Sequence, residues 1–137
     1  MPAEVYSLVQ NKSKYAVFDV GGDDRGAYAL GRYAPYIAEE NNYDMFFVVN
    51  FYRPLTTTAQ EAYAVLTEIE NACKIKFTAI INNSNLGGET TKNDVSDTLD
   101  KAKELCSLSS LPLAFTASDE RLDIDGTFKM KLQKKLF

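Results

Sequence analysis

The sequence contains no histidine and no tryptophan, and it has only two cysteines, Cys73 and Cys106. Without histidine the chain cannot form a Ser-His or Cys-His nucleophile or the usual zinc sites. The cysteines lack Cys-x-x-Cys spacing, which favours reduced, buried thiols over a metal or redox site. Catalysis would therefore depend on carboxylates, amides, hydroxyls, lysine, arginine or a bound metal.

Two longer patterns are also missing. No apolar run approaches the roughly 20 residues that cross a bilayer, and no basic-then-apolar signal opens the chain, so we expect a cytoplasmic protein without a membrane span. The phosphate-binding pattern Gly-x-x-x-x-Gly-Lys-Ser/Thr is absent as well. Only fourteen residues precede Tyr15, too few for the strand, loop and helix that carry that pattern.

Charge is distributed unevenly along the 137 residues, of which 45% are hydrophobic. Four lysines in residues 126–137 give that segment +4 and leave residues 1–125 at −8, within a total of −4. An acidic body is a poor surface for nucleic acid or anionic lipid, so we expect no nucleic-acid partner. We predict one α/β domain over residues 1–125 and a basic tail over 126–137, solvated rather than bound to a membrane or nucleic acid.

Four apolar runs predict strands, at residues 15–20, 45–50, 77–81 and 111–115. Amphipathic patterns between them predict helices: one opened by Pro2, one along Ala27 to Ala38 with a break near Gly31 and Pro35, one opened by the capping box Thr58 to Glu61, and one capped by Thr91 or Asn93. The third should bury Ala62, Leu66, Ile69 and Cys73, and the fourth Val95, Leu99, Ala102 and Cys106.

Strands that are apolar throughout and alternate with helices predict an α/β fold with a mostly parallel sheet and helices on both faces. Ligands of such sheets bind at the carboxyl ends of the strands. Polar and glycine residues gather at all four predicted ends, at residues 19–24, 50–54, 82–91 and 116–120. This pattern favours a binding site along that edge, although loops are polar for ordinary reasons as well.

The most informative segment is the apolar run that ends in Asp19-Val20-Gly21-Gly22. Together with Val48-Val49-Asn50-Phe51-Tyr52-Arg53-Pro54 and Ile80-Ile81-Asn82-Asn83-Ser84-Asn85-Leu86-Gly87, it resembles the second part of bacterial ATPases of the ParA/MinD, CobQ/CobB-like class of P-loop proteins. The resemblance covers roughly residues 2–118, and it implies a partial P-loop NTPase (Rossmann-like) three-layer architecture.

The resemblance also implies roles for individual residues. Asp19 would be the Walker B carboxylate, catalytic and bound to Mg²⁺, and Gly21 and Gly22 would belong to the switch segment after it. Asn82 would read the adenine edge of ATP, with Asn83 as second choice. The remaining implied contacts to the nucleotide are Asn50, Arg53 and, in the far wall formed by residues 112–119, Pro112.

Without the phosphate loop we expect an ATP-binding domain that is not catalytically competent alone, because phosphoryl transfer depends on charge neutralisation and positioning. Its partner would be a second copy or the missing P-loop segment. The alternative is a non-enzymatic interaction or regulatory module on the same scaffold. Loss of the cradle strand predicts that strands 15–20 and 45–50 either pair directly or leave open edges.

Three other signals have competing interpretations. Asp123-Ile124-Asp125-Gly126-Thr127 matches the nucleophile motif of haloacid-dehalogenase-like phosphatases, but no apolar strand precedes it, which favours a polar turn. Asp23, Asp24 and Arg25 are either a metal site or, preferably, a helix start rich in acids. Residues 85–91 are either a phosphate loop or, since they lack lysine, a flexible turn that leads into a helix cap.

Overall fold

Residues 15–22, 24–40 and 42–131 are described by a computed structural model of the protein. The chain separates into two units, one made of residues 1–45 and 66–76 and the other of residues 46–65 and 77–137. The helix predicted at Pro2, the residue Asp23 and the end of the basic tail from residue 132 lie outside the described residues.

The second unit contains a four-stranded parallel sheet, which confirms the α/β class with a parallel sheet. Its strands are β1 (Phe46–Val49), β2 (Ala79–Asn82), β3 (Leu113–Asp119) and β4 (Phe128–Met130), in the order β1-β2-β3-β4. The first three form at the predicted apolar runs. The fourth comes from the segment predicted as a basic tail.

Helices connect the first three strands. Helix α3 (Ala59–Cys73) follows β1, and α4 (Lys92–Ser96) and α5 (Leu99–Ser109) follow β2. Because the strand order never reverses and parallel crossovers are right-handed, both connections cross the same face of the sheet. The amide of Gln60 accordingly donates to Glu104 at 2.6 Å, between α3 and α5. The sequence predicts helices on both faces of the sheet. The described residues of this unit form helices on one face only.

The opposite face of the sheet is partly bare. Register pairs Val48 with Ile81 and Ile81 with Phe115, so these side chains share one face. On that face Val48 is 58% exposed, whereas its neighbour Val49 on the helix-covered face is 2% exposed. Strand β1, which the sequence predicts to be apolar on both faces, is therefore buried on one face only. The exposed apolar side chains of the other face are Phe46, Val48, Phe128 and Met130.

The predicted cap at Thr91 is confirmed as a reciprocal box, and the predicted box at Thr58 is confirmed through one of its two bonds. The Oγ1 atom of Thr58 accepts from the backbone N–H of Glu61 at 3.1 Å at the start of α3. Thr91 is the N-cap of α4 and forms a reciprocal capping box with Asp94. Local side-chain bonds of this kind satisfy backbone donors that a helix end leaves unpaired, so they are readable from short sequence spacings.

The predicted helix after Thr91 is divided in two, which changes its inward face. It breaks at Asp97 and Thr98, between α4 and α5. As a result Thr98 and Leu105 are buried together with Val95 and Ala102. The predictions that Leu99 and Cys106 face inward were wrong, because the break shifts the helical phase: Leu99 is exposed and Cys106 is half-buried.

The first unit contains helices α1 (Asp24–Gly31) and α2 (Ala34–Glu40), separated at the predicted break. Pro35 lies in the first turn of α2, where its missing N–H is not needed. Gly31 packs tightly, since a Cβ atom there would lie 3.3 Å from the carbonyl oxygen of Ala72. The core of this unit is formed by Ala27, Leu30, Ala34, Cys73 and Ile75.

The strand predicted over residues 15–20 is not formed. Tyr15 and Val17 are fully exposed, and Asp19 is exposed as well. An apolar run becomes a strand only when a neighbour accepts its backbone hydrogen bonds, and β1, its predicted neighbour, pairs with β2 alone among the described strands. β1 is therefore an edge strand of the described sheet.

Candidate functional site at the carboxyl edge of the sheet

Loops that follow β1, β2 and β3 lie at the same edge of the sheet, because the strands are parallel. Asn50 begins the first of these loops. Its Oδ1 atom accepts from the backbone N–H of Tyr52 at 2.9 Å, and its Nδ2 atom donates to the carbonyl oxygen of Asn85 at 3.1 Å. The side chain of Asn50 thus joins the β1 loop to the β2 loop, while Arg53, which follows it, is exposed.

Asn82 is completely buried at the end of β2. Its Nδ2 atom donates to the Oγ1 atom of Thr98 at 3.0 Å, and its Oδ1 atom accepts from the hydroxyl of Ser84 at 2.6 Å. Ser84 in turn accepts from the backbone N–H of Phe51 at 2.9 Å. The structure therefore places Asn82, the first-choice base-binding residue, in a network that joins the β1 loop, the β2 loop and the break between α4 and α5.

Asn83 lies beside it but faces a different environment. Its backbone N–H donates to the carbonyl oxygen of Val49 at 2.8 Å, which extends the β1–β2 ladder by one bond. Its side chain lines a cavity of about 10 Å³, the room of one water molecule. Among the described residues no group bonds to its side-chain amide. The other lining residues are Ser84, Asn85, Thr90, Val95, Ala117, Ser118, Asp119 and Met130.

The loop after β2 closes on itself beside this cavity. Thr90 is buried, and its Oγ1 atom accepts from the N–H of Leu86 and donates to the carbonyl oxygen of Gly87, both at 2.7 Å. Gly87 has a φ angle of +68°, a conformation that favours glycine. The segment predicted as a flexible turn into a cap is thus a bonded turn that leads directly into the Thr91 cap.

Arg121 connects that turn to the end of β3. Its Nη2 atom donates to the carbonyl oxygens of Gly88 and Thr90, at 2.6 and 2.8 Å. Its Nε atom donates to the carboxylate of Asp119 at 2.8 Å, and the other carboxylate oxygen accepts the backbone N–H of Arg121. One guanidinium group therefore fixes two loops at the cavity. Sequence reasoning missed this residue, since only the polar run Ser118 to Arg121 pointed to it.

Pro112 lies at the other end of the sheet. It precedes β3, and its carbonyl oxygen accepts from the N–H of Ile80 at 2.9 Å. Asp119, which lines the cavity, ends the same strand, and seven strand residues span roughly 23 Å. Pro112 and the cavity at Asn83 therefore lie at opposite ends of β3, because a segment from 112 to 119 runs along the sheet rather than across its edge.

The remaining predicted site residues belong to the first unit. Asp19, Gly21 and Gly22 are exposed in the described segment that precedes α1, residues 15–22. Gly26 allows that segment to pack on α1, since a Cβ atom there would overlap the carbonyl oxygen of Gly21. Throughout residues 15–22, 24–40 and 42–131, no three carboxylate or thiol groups gather in a set that could hold a metal ion. Asp19 thus supplies one carboxylate, and a Mg²⁺ ion there would need nucleotide phosphates and water as its other ligands.

The Asp-x-Asp-Gly-Thr segment forms a turn. Asp123 follows a short 3₁₀ helix, Glu120–Leu122, and adopts a left-handed conformation with φ of 48°. Its carboxylate pairs with Lys129, which lowers the pKa of Asp123 and raises the pKa of Lys129, in each case first through their hydrogen bond. Thr127 shares a 2.6 Å hydrogen bond with Ser118. These contacts hold β4 beside β3.

Comparison of the chain with protein-family models, curated proteins and solved structures finds no match. Among the described residues, no helix is both long and apolar enough to cross a membrane.

Proposed function

We propose that the sheet unit is the base-binding part of an adenine-nucleotide-binding α/β domain of the ParA/MinD-like type, and that this chain alone does not hydrolyse ATP. The observation that carries the proposal is the position of Asn83. Its uncommitted amide lies at the carboxyl edge of a parallel sheet, beside a cavity between two loops. Ligands of parallel sheets bind at that edge, and an amide can donate to and accept from adenine at once.

The two neighbouring asparagines receive different roles in this proposal. Asn82 builds the site, since both ends of its amide are already bonded inside the protein. Asn83 contacts the base. Asn50 holds the adjoining loop, and Arg53, which is exposed, would contact a phosphate group. For the first unit by itself we keep the expected role of Asp19, with Gly21 and Gly22, toward Mg²⁺ and a terminal phosphate, which would need a phosphate loop from another segment or chain.

The proposal is tested by titrating the protein with AMP, which needs little phosphate neutralisation, and following the nucleotide by ligand-observed NMR. We expect saturable binding near 1 mM, about −4 kcal/mol. Asn83→Ala should weaken it severalfold, whereas Asn93→Ala, an exposed asparagine in α4, should leave it unchanged. Equal binding by Asn83→Ala and the parent protein would show that the base does not contact Asn83.

A second candidate function, assembly with another polypeptide, is favoured by the bare face of the sheet. Phe46, Val48 and Phe128 are exposed there, and β1 is one of the two edge strands of the described sheet. Exposed apolar faces and open strand edges are common sites of association. Light scattering during size-exclusion chromatography tests this role: a dimer that Val48→Lys converts to a monomer would support it, and a monomer at all concentrations would contradict self-assembly.

A further inference from the structure

The turn before β4 contains a peptide bond that joins an aspartate to a glycine. Of the seven glycines in the chain, only Gly126 follows an aspartate, and none follows an asparagine. Asp125 and Gly126 are both exposed. Gly126 has a φ angle of +78°, and a Cβ atom built there would meet nothing within 4 Å. This peptide unit therefore has room to rotate, because glycine presents no side chain to the atoms beside it.

The fold does not hold the two groups that can react across this bond. Among the described residues, the carboxylate of Asp125 takes part in no hydrogen bond or ion pair, and the backbone N–H of Gly126 donates to no acceptor. The neighbouring carboxylate of Asp123 is instead paired with Lys129, and the residue that follows it is the β-branched Ile124. Of these two aspartates, only Asp125 is free to turn toward the next peptide nitrogen.

We propose that Asp125 is converted spontaneously to isoaspartate in the folded protein. The carboxylate first takes a proton from solvent. The backbone nitrogen of Gly126 then attacks the Cγ atom of Asp125, so that a C–N bond closes a cyclic imide while the C–OH bond of the carboxyl group breaks. The hydroxyl leaves with the amide proton as water.

Water then opens the imide in either of two ways. Addition at the former side-chain carbonyl breaks the new C–N bond and restores aspartate. Addition at the main-chain carbonyl breaks the original peptide bond, and the chain then runs through the former side chain as isoaspartate. The conversion needs no reactant other than water, and it is independent of nucleotide binding.

Isoaspartate adds one methylene group to the backbone in the turn that positions β4. The Oγ1 atom of Thr127 donates to the carbonyl oxygen of Ile124 at 2.7 Å. Lys129 pairs with Asp123. Both contacts span the rearranged linkage, so they depend on the normal length of the chain there. Formation of isoaspartate therefore weakens the attachment of β4 to β3.

Ageing of the full chain tests the reaction. Samples are kept at neutral pH with and without urea, digested, and read by electron-transfer fragmentation, which distinguishes isoaspartate from aspartate. We expect isoaspartate to accumulate at Asp125 in the folded sample at a rate within severalfold of that in urea. Asp123 is the internal control and should stay unchanged in the folded sample. Asp125→Glu should show no conversion, because its imide ring would be larger and slower to close.

Two results of the ageing experiment would overturn the proposal. If isoaspartate forms at Asp125 in urea but not in the folded chain, the turn protects the bond. If it forms in neither sample, the bond is not reactive.

Hydrogen exchange of the aged protein tests the consequence for β4. Peptides that contain β4 should divide into two populations, and the amides of the second should exchange about tenfold faster. The fraction of that population should match the measured isoaspartate content, while peptides from β1 should show a single population. Aged Asp125→Glu should keep β4 in the slow population. A single slow population in the aged parent, despite measured isoaspartate, would show that the attachment of β4 does not depend on this linkage.

Discussion

Asn82 and Thr98 are joined by a 3.0 Å hydrogen bond in which the buried amide nitrogen of one donates to the buried hydroxyl of the other. The hydroxyl of Thr98 also donates to the carbonyl oxygen of Val95 at 2.7 Å, in the helix before the break. The end of a central strand and the break between two helices are thus fixed to each other. This bond explains why an asparagine ends β2 whether or not a nucleotide is bound.

The first prediction separates Asn82 from its neighbour by stability. Asn82→Ala leaves Thr98 and Ser84 without their buried partner, so we expect a loss of about 2–3 kcal/mol in the free energy of unfolding. Asn83→Ala removes a side chain with no bonds to the described residues and should cost less than about 0.5 kcal/mol. Urea denaturation followed by circular dichroism measures both, and equal losses would contradict the assignment of Asn82 to the structural network.

The second prediction concerns adjacent valines on opposite faces of β1. Val49→Lys places a charge in the buried face and should destabilise the protein by more than about 3 kcal/mol, or prevent folding. Val48→Lys changes an exposed side chain and should shift stability by less than about 1 kcal/mol. Thermal denaturation of the two variants checks the contrast. A larger effect at Val48 would mean that the bare face is covered.

The third prediction addresses the cap of α4. Thr91→Ala removes the side-chain acceptor for the N–H of Asp94, 3.2 Å away, and should cost about 1 kcal/mol. Ser107→Ala is the control, because Ser107 is exposed in the interior of α5, where alanine favours the helix. Denaturant midpoints measure both changes, and a cap variant as stable as the control would show that the box contributes nothing.

Parts of this fold could be predicted from sequence because their causes are local. The runs at β1, β2 and β3 are short apolar segments between polar ones, and the caps at Thr58 and Thr91 depend on partners three residues away. The break before α5 could not be predicted in this way. At this break Thr98 is bonded to Asn82, 16 residues earlier, and the spacing of apolar residues within a helix does not reveal such a contact.

The failed predictions depended on distant or absent neighbours. Residues 15–20 have the composition of a strand, but no described strand accepts their backbone. Arg121 was missed because its two carbonyl partners lie more than thirty residues away. The polar character of the strand ends did indicate the edge of the sheet where Asn83 lies. It could not show that the side-chain amide of Asn82, and not that of Asn83, is hydrogen-bonded inside the protein.

The fourth prediction uses pH. The folded-state pKa of Asp123 is lowered by Lys129, so its contribution to stability is present above the ordinary carboxyl pKa and is lost as pH falls through the lowered one. The pKa of Lys129 is raised, so that contribution also disappears as pH rises through the raised value. Lys129→Gln should raise the pKa of Asp123, measured by NMR of its carboxyl carbon. An unchanged value would mean that the pair is not formed in solution.

The central claim is that adenine binds at the carboxyl edge of the sheet beside Asn83, and amide chemical shifts during AMP titration test it most directly. We predict saturable shifts confined to residues 83–90 and 117–119, with none caused by equal concentrations of ribose 5-phosphate, which lacks the base. The claim is contradicted if shifts rise linearly without saturation, if they cluster elsewhere, or if ribose 5-phosphate reproduces them.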